Sequence, residues 1–216
     1  MNPNSKDKPV LVIGAGGHAK VLVGALLRLG RPIRGLLDAE RSRHGTMLLG
    51  QPVLGGDEQL EGVDPGSLLL VNGLGSVGLP IARQRLFERL TAKGFRFASV
   101  IDPAAFVSPD VAMAAGVQVM AGAVVQPGCS LGENCIVNSR ASLDHDCSIG
   151  AHAHVAPGAV LSGEVRVGEG SHLGTGAVVI QGRSIGAGSL VAAGAVVVRD
   201  VAAGEKLAGV PARPLK

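Results

Sequence analysis

The sequence predicts a mixed fold, in which a small N-terminal α/β domain is followed by a parallel β-helix. Two patterns support this prediction. A six-residue period runs without a gap from Val107 to Ala202, which makes sixteen hexapeptides, and a strand–helix–strand pattern with a glycine-rich turn lies near the N-terminus. Because the two patterns do not overlap, we predict two domains, residues 1–102 and 103–216, with the boundary after Asp102.

The residue types at each hexapeptide position indicate which side chains face the core. The first position is aliphatic in all sixteen hexapeptides, and the fifth is Ala, Val, Cys or Ser in all but one, which has Arg183. We expect both positions to point inward. Glycine holds the fourth position in nine hexapeptides, as a tight corner requires. The alternative, a flat sheet of hairpins, would need turn pairs such as Asn-Gly, and the repeat contains none.

The N-terminal pattern predicts the first unit of a nucleotide-binding domain. Val10 to Ile13 is typical of a buried strand, and a glycine-rich turn leads from it into a helix that ends near Leu29, before Gly30. Ile33 to Leu37 predicts the second strand. Together these features indicate a Rossmann-like domain that is too short for a whole dinucleotide, so a mononucleotide is the expected ligand.

Three residues of this unit are placed to hold such a ligand. Gly16 and Gly17 let the backbone approach a phosphate at the helix N-terminus, and Asp38 follows the second strand, where an acidic residue bonds a ribose hydroxyl. The alternative is a tight strand-to-helix turn that binds nothing.

A second loop of small residues follows another predicted strand. Leu68 to Val71 predicts that strand, and the loop from Asn72 to Ser76 follows at the edge where open α/β sheets bind ligands. Pro80 to Lys93 predicts a helix with Ile81, Leu86, Phe87 and Leu90 on one side and arginines on the other. Phe97 to Ile101 is predicted to close the small sheet.

Composition excludes several classes of protein. The net charge is only +3, and the chain has no Trp, no Tyr and four Phe, so we expect no nucleic-acid partner. The apolar run after the polar N-terminal segment is too short for a signal peptide or a membrane span, and we expect a cytoplasmic protein without a membrane partner. The three cysteines, Cys129, Cys135 and Cys147, all occupy fifth positions and are expected to be buried reduced thiols.

Two histidines of the repeat are candidates for chemistry. His145 is at a third position with Asp144 and Asp146 beside it, and His154 is at a sixth position. Both positions are expected to face outward. A neutral imidazole is matched to proton transfer near physiological pH, and a neighbouring carboxylate can hold its tautomer. The alternative for His145 is a solvated surface histidine.

With these motifs, the chain resembles the left-handed β-helix (hexapeptide-repeat) nucleotide-sugar acetyltransferases of the bacillosamine, perosamine and sialic-acid pathways. The resemblance rests on the strand followed by Gly-x-Gly-Gly-His, on Asp144-His-Asp-Cys147, and on the ending Gly209-Val-Pro-Ala-Arg213. It implies three hexapeptides per left-handed coil, acetyl-CoA as co-substrate, and a homotrimer with active sites between subunits. It also implies N-acetylation of a nucleotide-linked amino-dideoxysugar for surface-glycan biosynthesis such as that of O-antigen.

The resemblance assigns roles to particular residues. In catalysis, His145 is the base, Asp146 its partner, and Gly163 the donor of a backbone N–H to the thioester oxygen. The implied nucleotide-sugar contacts are Gly16, Gly17, His18, Asp38, Asn72, Gly73 and Asn138. The implied acetyl-CoA contacts are His154, Gly174, Ala192, Gly194 and Arg213.

Three other functions remain open at this point. Some hexapeptide proteins hold zinc between subunits for hydration chemistry, and His145, His152, His154 and His172 are the residues available for that. We predict no metal, because zinc chemistry needs neither a nucleotide domain nor the acetyl-CoA ending. The others are a non-catalytic nucleotide-sugar binder and, among enzymes, a sialic acid O-acetyltransferase.

Overall fold

The computed structural model describes residues 8–215 and confirms the mixed fold. The polar N-terminal segment up to residue 7 and Lys216 of the basic ending lie outside the described residues. The first domain contains two α-helices, two 3-10 helices (Arg41–Arg43 and Asp57–Leu60) and five strands. The strands and α-helices are β1 (Val10–Ile13), α1 (Gly17–Arg28), β2 (Ile33–Leu37), β3 (Met47–Leu48), β4 (Gln51–Gly55), β5 (Leu69–Asn72) and α2 (Ile81–Ala92).

The sheet of this domain has the strand order β3-β4-β2-β1-β5. Strand β1 lies between β2 and β5 and pairs in parallel with both, so the carboxyl ends of all three meet at one edge. The predicted bounds of β1 and β2 are confirmed, and β5 begins one residue later than predicted. The sequence analysis did not predict β3 and β4, whose run is short and interrupted by Pro52.

The predicted last strand of the small sheet is wrong in part. Phe97 forms a single parallel bridge with Leu70 of this sheet. The next strand, β6 (Val100–Ile101), pairs instead with Gln118–Val119 of the β-helix. The first strand of the β-helix therefore begins before the domain boundary that the repeat predicted after Asp102.

Most strands of the β-helix have two residues, which are the sixth residue of one hexapeptide and the first residue of the next. Strands eighteen residues apart pair in parallel, as Val107, Val125 and Leu143 do, which agrees with three hexapeptides per coil. Two longer sheets and one shorter sheet form the three faces. After β6, the strands are β7 (Phe106–Val107), β8 (Ala112–Met113), β9 (Gln118–Val119), β10 (Val124–Val125), β11 (Ser130–Leu131), β12 (Ile136–Val137), β13 (Ser142–Leu143), β14 (Ser148–Ile149), β15 (His154–Val155), β16 (Val160–Leu161), β17 (Arg166–Val167), β18 (His172–Leu173), β19 (Val178–Val179), β20 (Ser184–Ile185), β21 (Leu190–Val191), β22 (Val196–Val197), β23 (Lys206–Ala208) and β24 (Arg213–Pro214).

The fourth position is a left-handed corner in fourteen of the sixteen hexapeptides, all but those of Asp110 and Asp200, and nine of the fourteen hold glycine. Five other residues take it with φ between 54° and 61°: Asn134, Arg140, Asp146, His152 and Glu164. The hydrophobic core of the coil is formed by first and fifth positions, as predicted. Cys129, Cys135 and Cys147 lie in this core as free thiols.

Helix α2 packs the first domain onto the β-helix, and Leu86, Phe87 and Leu90 of its predicted apolar side are buried. The prediction is wrong for two residues of the helix. Ile81 is exposed, whereas Arg83 lies on the buried face with Phe87 and Leu90. The Phe87 ring meets the His152 ring of the β-helix edge to face at 5.5 Å. Neither α-helix in residues 8–215 is long and apolar enough to cross a membrane.

Candidate active site

A cavity of about 940 Å³ lies at the carboxyl ends of β1, β2 and β5. Helix α1 begins at this cavity after Gly16, with no side-chain cap and no acidic residue in its first turn. Its first N–H groups are therefore available to an anion. Seven of the predicted residues line the cavity, namely Gly16, Gly17, His18, Asp38, Gly73, Asn138 and His154.

Asp38 is tied to the glycine-rich turn. Its carboxylate accepts hydrogen bonds from the Ala15 N–H at 2.6 Å, from the Glu40 N–H at 2.8 Å and from Arg43 at 2.9 Å. Burial alone would raise the pKa of Asp38, but the bonds from Glu40, Ala15 and Arg43 outweigh it and hold that pKa below its ordinary value. Asp38 thus remains an anion that orders the turn and still faces the cavity.

His18 is held in one tautomer. Gln118 donates its amide Nε2 to the Asn72 carbonyl at 2.8 Å, so its Oε1 faces His18 and accepts from Nε2–H at 2.7 Å. Burial, with a smaller contribution from the charge of Arg83, lowers the pKa of His18 to about 4. The imidazole is therefore neutral, with Nδ1 as an acceptor.

Three arginines that the sequence analysis did not single out also line the cavity: Arg43, Arg85 and Arg89. Arg43 pairs with Asp38 and Arg89 with Asp57, whereas Arg85 forms no ion pair within residues 8–215. Positive side chains beside an open helix N-terminus suit a phosphate-bearing ligand. The arginines on one side of α2 were visible in the sequence, but it is the packing of α2 that places Arg85 and Arg89 at the cavity.

Asn72 does not line the cavity, although the sequence analysis proposed it as a substrate contact. Its side chain is only 2 % exposed and donates to the Arg83 carbonyl and to Asn134 Oδ1, both at 3.1 Å. Gly73 is needed because a Cβ there would lie 2.8 Å from the Ile13 carbonyl oxygen. Both residues therefore shape the loop, and only Gly73 borders the ligand space.

A groove of about 400 Å³ runs along one corner of the β-helix, past β12, β15, β18 and β21. It is lined by His154, Gly174 and Ala192, three of the five residues that the sequence analysis proposed as acetyl-CoA contacts. Gly174 is required because a Cβ there would lie 2.5 Å from the Ala193 nitrogen of the next coil. Gly194 and Arg213 do not line the groove. Gly194 is a left-handed corner residue, and Arg213 lies in the exposed strand β24.

The cavity and the groove meet at four residues that line both, Ser76, Val77, Asn138 and His154, which we call the shared wall. Asn138 Oδ1 accepts from the Ser139 N–H at 2.8 Å, so Asn138 Nδ2 donates to His154 Nε2 at 2.9 Å. Nε2 must then carry a lone pair, and Nδ1–H donates to Ser76 Oγ at 2.8 Å.

The shared wall therefore contains a Ser–His pair, which the sequence analysis missed because Ser76 and His154 are 78 residues apart. Burial, followed by repulsion from His172 and His18, lowers the pKa of His154 to about 3. A histidine that already donates its Nδ1 proton to Ser76 cannot remove the serine proton. The pair is arranged to orient groups, not to form an acyl-serine.

His145 lies on a different corner and has carboxylate partners. Its Nδ1–H donates to Asp146 at 2.8 Å, and its backbone N–H donates to Asp144 at 2.8 Å. The bond to Asp146 is the largest cause that raises the pKa of His145 above its ordinary value, and Asp144 and Glu164 add to it. The arrangement leaves Nε2 as the free basic nitrogen.

Gly163 lies directly beneath this ring. A Cβ on Gly163 would be 2.5 Å from both Nε2 and Cε1 of His145, so only glycine admits the imidazole in this position. Asp146 occupies the left-handed corner with φ 59° and accepts from His145 without leaving the coil. We call Asp144, His145, Asp146 and Gly163 the His145 corner.

The structure does not bring the His145 corner to the shared wall within one chain. His145 falls between β13 and β14, whereas Asn138 falls between β12 and β13, at the preceding corner of the triangular coil. None of the residues of the His145 corner lines the cavity or the groove. A site that uses both parts needs a second copy of the chain.

Residues 8–215 contain no group of three or more His, Cys, Asp or Glu side chains arranged to hold a metal ion. Among the four histidines considered for zinc, His154 and His172 meet edge to face at 4.8 Å, and both ring nitrogens of His154 are hydrogen-bonded. His152 bonds to Asn134 in the interdomain contact.

Both domains of the chain match models of known protein families. Residues 9–90 match the PglD N-terminal domain, and residues 128–163 match the bacterial transferase hexapeptide model. A search of curated protein sequences gives no match.

Solved structures match over nearly the whole chain. The acetyltransferase domain of PglB from Neisseria gonorrhoeae, solved with acetyl coenzyme A, is 38% identical, with a TM-score of 0.89 over 97% of this chain and 100% of that one. A mutant perosamine N-acetyltransferase from Caulobacter crescentus, solved with CoA and GDP-perosamine, is 39% identical, with a TM-score of 0.89 over 96% and 97% of the two chains. WeeI from Acinetobacter baumannii, 24% identical with a TM-score of 0.78 over 95% and 99%, shares the fold. The chain therefore belongs to the left-handed β-helix family of nucleotide-sugar acetyltransferases that includes these PglB and perosamine enzymes.

Proposed function

We propose that the protein transfers the acetyl group of acetyl-CoA to the amino group of a nucleotide-linked amino-dideoxysugar, a step of surface-glycan biosynthesis. The observation that carries the proposal is the shared wall, where the cavity of the first domain and the groove of the β-helix meet. An amine held from one side and a thioester held from the other would lie within reach of each other there. The similarity to a perosamine enzyme solved with both ligands supports this pairing.

We assign the nucleotide to residues 1–102. The open N-terminus of α1 and the arginines Arg43, Arg85 and Arg89 provide donors for a diphosphate. This favours a nucleotide-linked acceptor over the alternative of sialic acid O-acetylation, in which the acceptor need not carry a diphosphate.

We assign the acetyl donor to residues 103–216. When bound, acetyl-CoA supplies an acetyl group activated as a thioester. The groove fits a narrow chain, because Gly174 and Ala192 leave room along the corner. His154 borders the end of the groove that meets the cavity. Gly194 and Arg213 belong to the same C-terminal coils but lie outside the groove, so their contacts would be with the distal part of the cofactor.

In the proposed mechanism, His145 Nε2 accepts a proton from the amine as its nitrogen attacks the thioester carbon. It returns that proton to the CoA sulfur when the carbon–sulfur bond breaks, which leaves the amide and the CoA thiol. Asp146 holds Nδ1–H and stabilises the imidazolium that forms. The Gly163 N–H, which makes no hydrogen bond within residues 8–215, donates to the developing oxyanion. Transfer is direct, because the cysteines are buried in the core and Ser76 has no available base.

We further propose a homotrimer in the cytoplasm. The face of the β-helix formed by β7, β10, β13, β16, β19 and β22 carries mostly apolar sixth positions, Phe106, Val124, Val160, Val178 and Val196, with Ser142 as the polar exception. Phe106 and Val160 are well exposed. Exposed apolar surface of this kind is normally covered, and a ring of three copies would bring the His145 corner of one to the shared wall of the next. Three buried free thiols suit a reducing compartment.

A mixing experiment tests the shared site. His145→Ala and Asn138→Leu are each expected to be inactive alone, whereas co-expressed trimers of the two should recover activity at about a quarter of the sites if assembly is random. Co-expression of His145→Ala with Asp146→Asn, which lie on the same corner, is the matched control and should give no more activity than the mean of the two variants alone. No recovery in the first mixture, with trimers verified by sedimentation, would contradict a site formed between subunits.

A product experiment tests the reaction. Purified protein with acetyl-CoA and UDP-, GDP- or dTDP-linked amino sugars should yield one product heavier by an acetyl group. The amide should resist hydroxylamine, whereas an ester from O-acetylation would be cleaved by it. A cleavable product, or no product with any of the three, would count against N-acetylation.

A further inference from the structure

Arg83 has an unusual environment for a charged side chain. It is 1 % exposed, and its partners are backbone carbonyls: Nη1 donates to Asn72 and Leu74, both at 2.8 Å, and Nε donates to Asn134 at 3.3 Å. Within residues 8–215 no carboxylate pairs with it, and Nη2 has no partner. A buried guanidinium without a counter-charge is costly, and an apolar side chain would pack at α2 at a lower cost.

The loop that Arg83 contacts has few features of its own that would fix its conformation. The loop from Asn72 to Leu79 contains three glycines, at 73, 75 and 78. Glycines lose the most backbone freedom on folding, so such a loop needs contacts from outside. Arg83 provides them by binding the carbonyls on both sides of Gly73, and Gln118 donates to the Asn72 carbonyl as well.

The same loop carries a residue of the shared wall. Ser76, two residues after Leu74, accepts a hydrogen bond from the Nδ1–H of His154. Arg83 itself lines neither the cavity nor the groove, although its neighbours Ala82 and Arg85 line the cavity. Its influence on the site must therefore pass through the loop.

We propose that Arg83 is a positioning residue for acetyl transfer, which holds Ser76 against His154 and so keeps the His154 ring in one orientation. The kinetic consequence of this inference rests on the proposed function, whereas the state of the His154 ring can be measured without any substrate.

The first test observes His154 directly, by ¹⁵N NMR of the full-length protein labelled at histidine. The wild type should show one fixed tautomer with the proton on Nδ1. Arg83→Met and Arg83→Gln should move the His154 Nδ1 signal away from its wild-type shift, because the hydrogen bond to Ser76 is weakened, and Ser76→Ala should move it in the same direction. Arg96→Met is the matched control, because Arg96 is an exposed arginine of the same domain, and it should retain the wild-type spectrum.

Two outcomes of this test would overturn the proposal. One is a folded Arg83 variant with the wild-type His154 signals. The other is the failure of both Arg83 variants to fold while Ser76→Ala folds, since Arg83 would then serve folding alone.

The second test uses acetylation rates with the nucleotide sugar that the product experiment identifies. Arg83→Met and Ser76→Ala should each lower kcat about tenfold, with KM for the nucleotide sugar changed less than about twofold. Because both act through one contact, the double variant should be no more than about twofold slower than the slower single variant. A roughly hundredfold loss, the product of the two effects, would overturn the proposal. If the wild type acetylates none of the sugars, the proposed function fails, while the NMR result still decides the role of Arg83.

Discussion

The His145 corner and the shared wall each present a histidine, and the two differ in every feature that sets proton affinity. The His145 side chain is 48 % exposed and surrounded by Asp144, Asp146 and Glu164, which raise its pKa. His154 is 4 % exposed, has an amide and a hydroxyl as partners, and has a pKa lowered to about 3. The comparison shows that the neighbours of a histidine on this repeat set its proton affinity.

The difference arises from the corner geometry and from the second domain. Adjacent side chains on a strand point to opposite faces, but the left-handed backbone at Asp146 turns its carboxylate back to the preceding histidine. His154 lies on a strand that the first domain covers, so its ring is desolvated and bonded from both sides.

The largest expected effect is from His145→Ala. Loss of a general base should lower turnover by roughly a hundredfold to ten-thousandfold while nucleotide-sugar binding, measured by calorimetry, remains nearly unchanged. Turnover within about threefold of wild type would mean that the amine reaches the site already neutral and that His145 is not its base.

Gly163→Ala should have the next largest effect. The new Cβ would lie 2.5 Å from the His145 ring, and a displacement of that size can cost about a hundredfold in kcat. Gly24→Ala in α1, where a Cβ meets no atom closer than 3.6 Å, is the matched control and should retain wild-type turnover. Equal losses in both variants would point to a general loss of stability.

Asp146→Asn should lower turnover about tenfold and shift its pH dependence. A raised pKa means that His145 remains protonated to higher pH, so the acidic limb of kcat/KM in the wild type should lie above 6.5. Removing the largest cause of that shift should move the limb to lower pH. Asp144→Asn, which removes a smaller cause, should move it less.

If the acidic limb of kcat/KM lies at the same pH in both aspartate variants as in the wild type, His145 is not the titrating group. The same profile checks the shared wall, because His154, with a pKa of about 3, should not titrate in the assay range.

The smallest expected effect is from Arg85→Met. This exposed arginine should contribute a screened contact to the nucleotide sugar, so KM for that substrate should rise about three- to tenfold with kcat unchanged. The exposed Arg96→Met is the matched control. A fall in kcat in place of the rise in KM would mean that Arg85 acts on the chemical step.

Much of the fold was predictable because it is local or periodic. The hexapeptide period predicted the coil and its inward positions, and the family resemblance implied the stacking at eighteen residues. The bounds of β1 and β2 followed from short apolar runs. The prediction for α2 was wrong at Ile81 and Arg83, because helical periodicity cannot distinguish a solvated arginine from one that donates to carbonyls of another segment.

By itself, the sequence determined the architecture, the family, and the set of groups available for chemistry, since each depends on residue type and spacing along the chain. Only the tertiary structure decided which groups meet. It placed Ser76 on His154, directed Arg85 into the cavity, buried Asn72 away from it, and put His145 one corner away from the shared wall. These outcomes depend on how the first domain docks on the β-helix, and docking is set by contacts between residues far apart in sequence, such as Arg83 with Asn134, for which the chain carries no local signal.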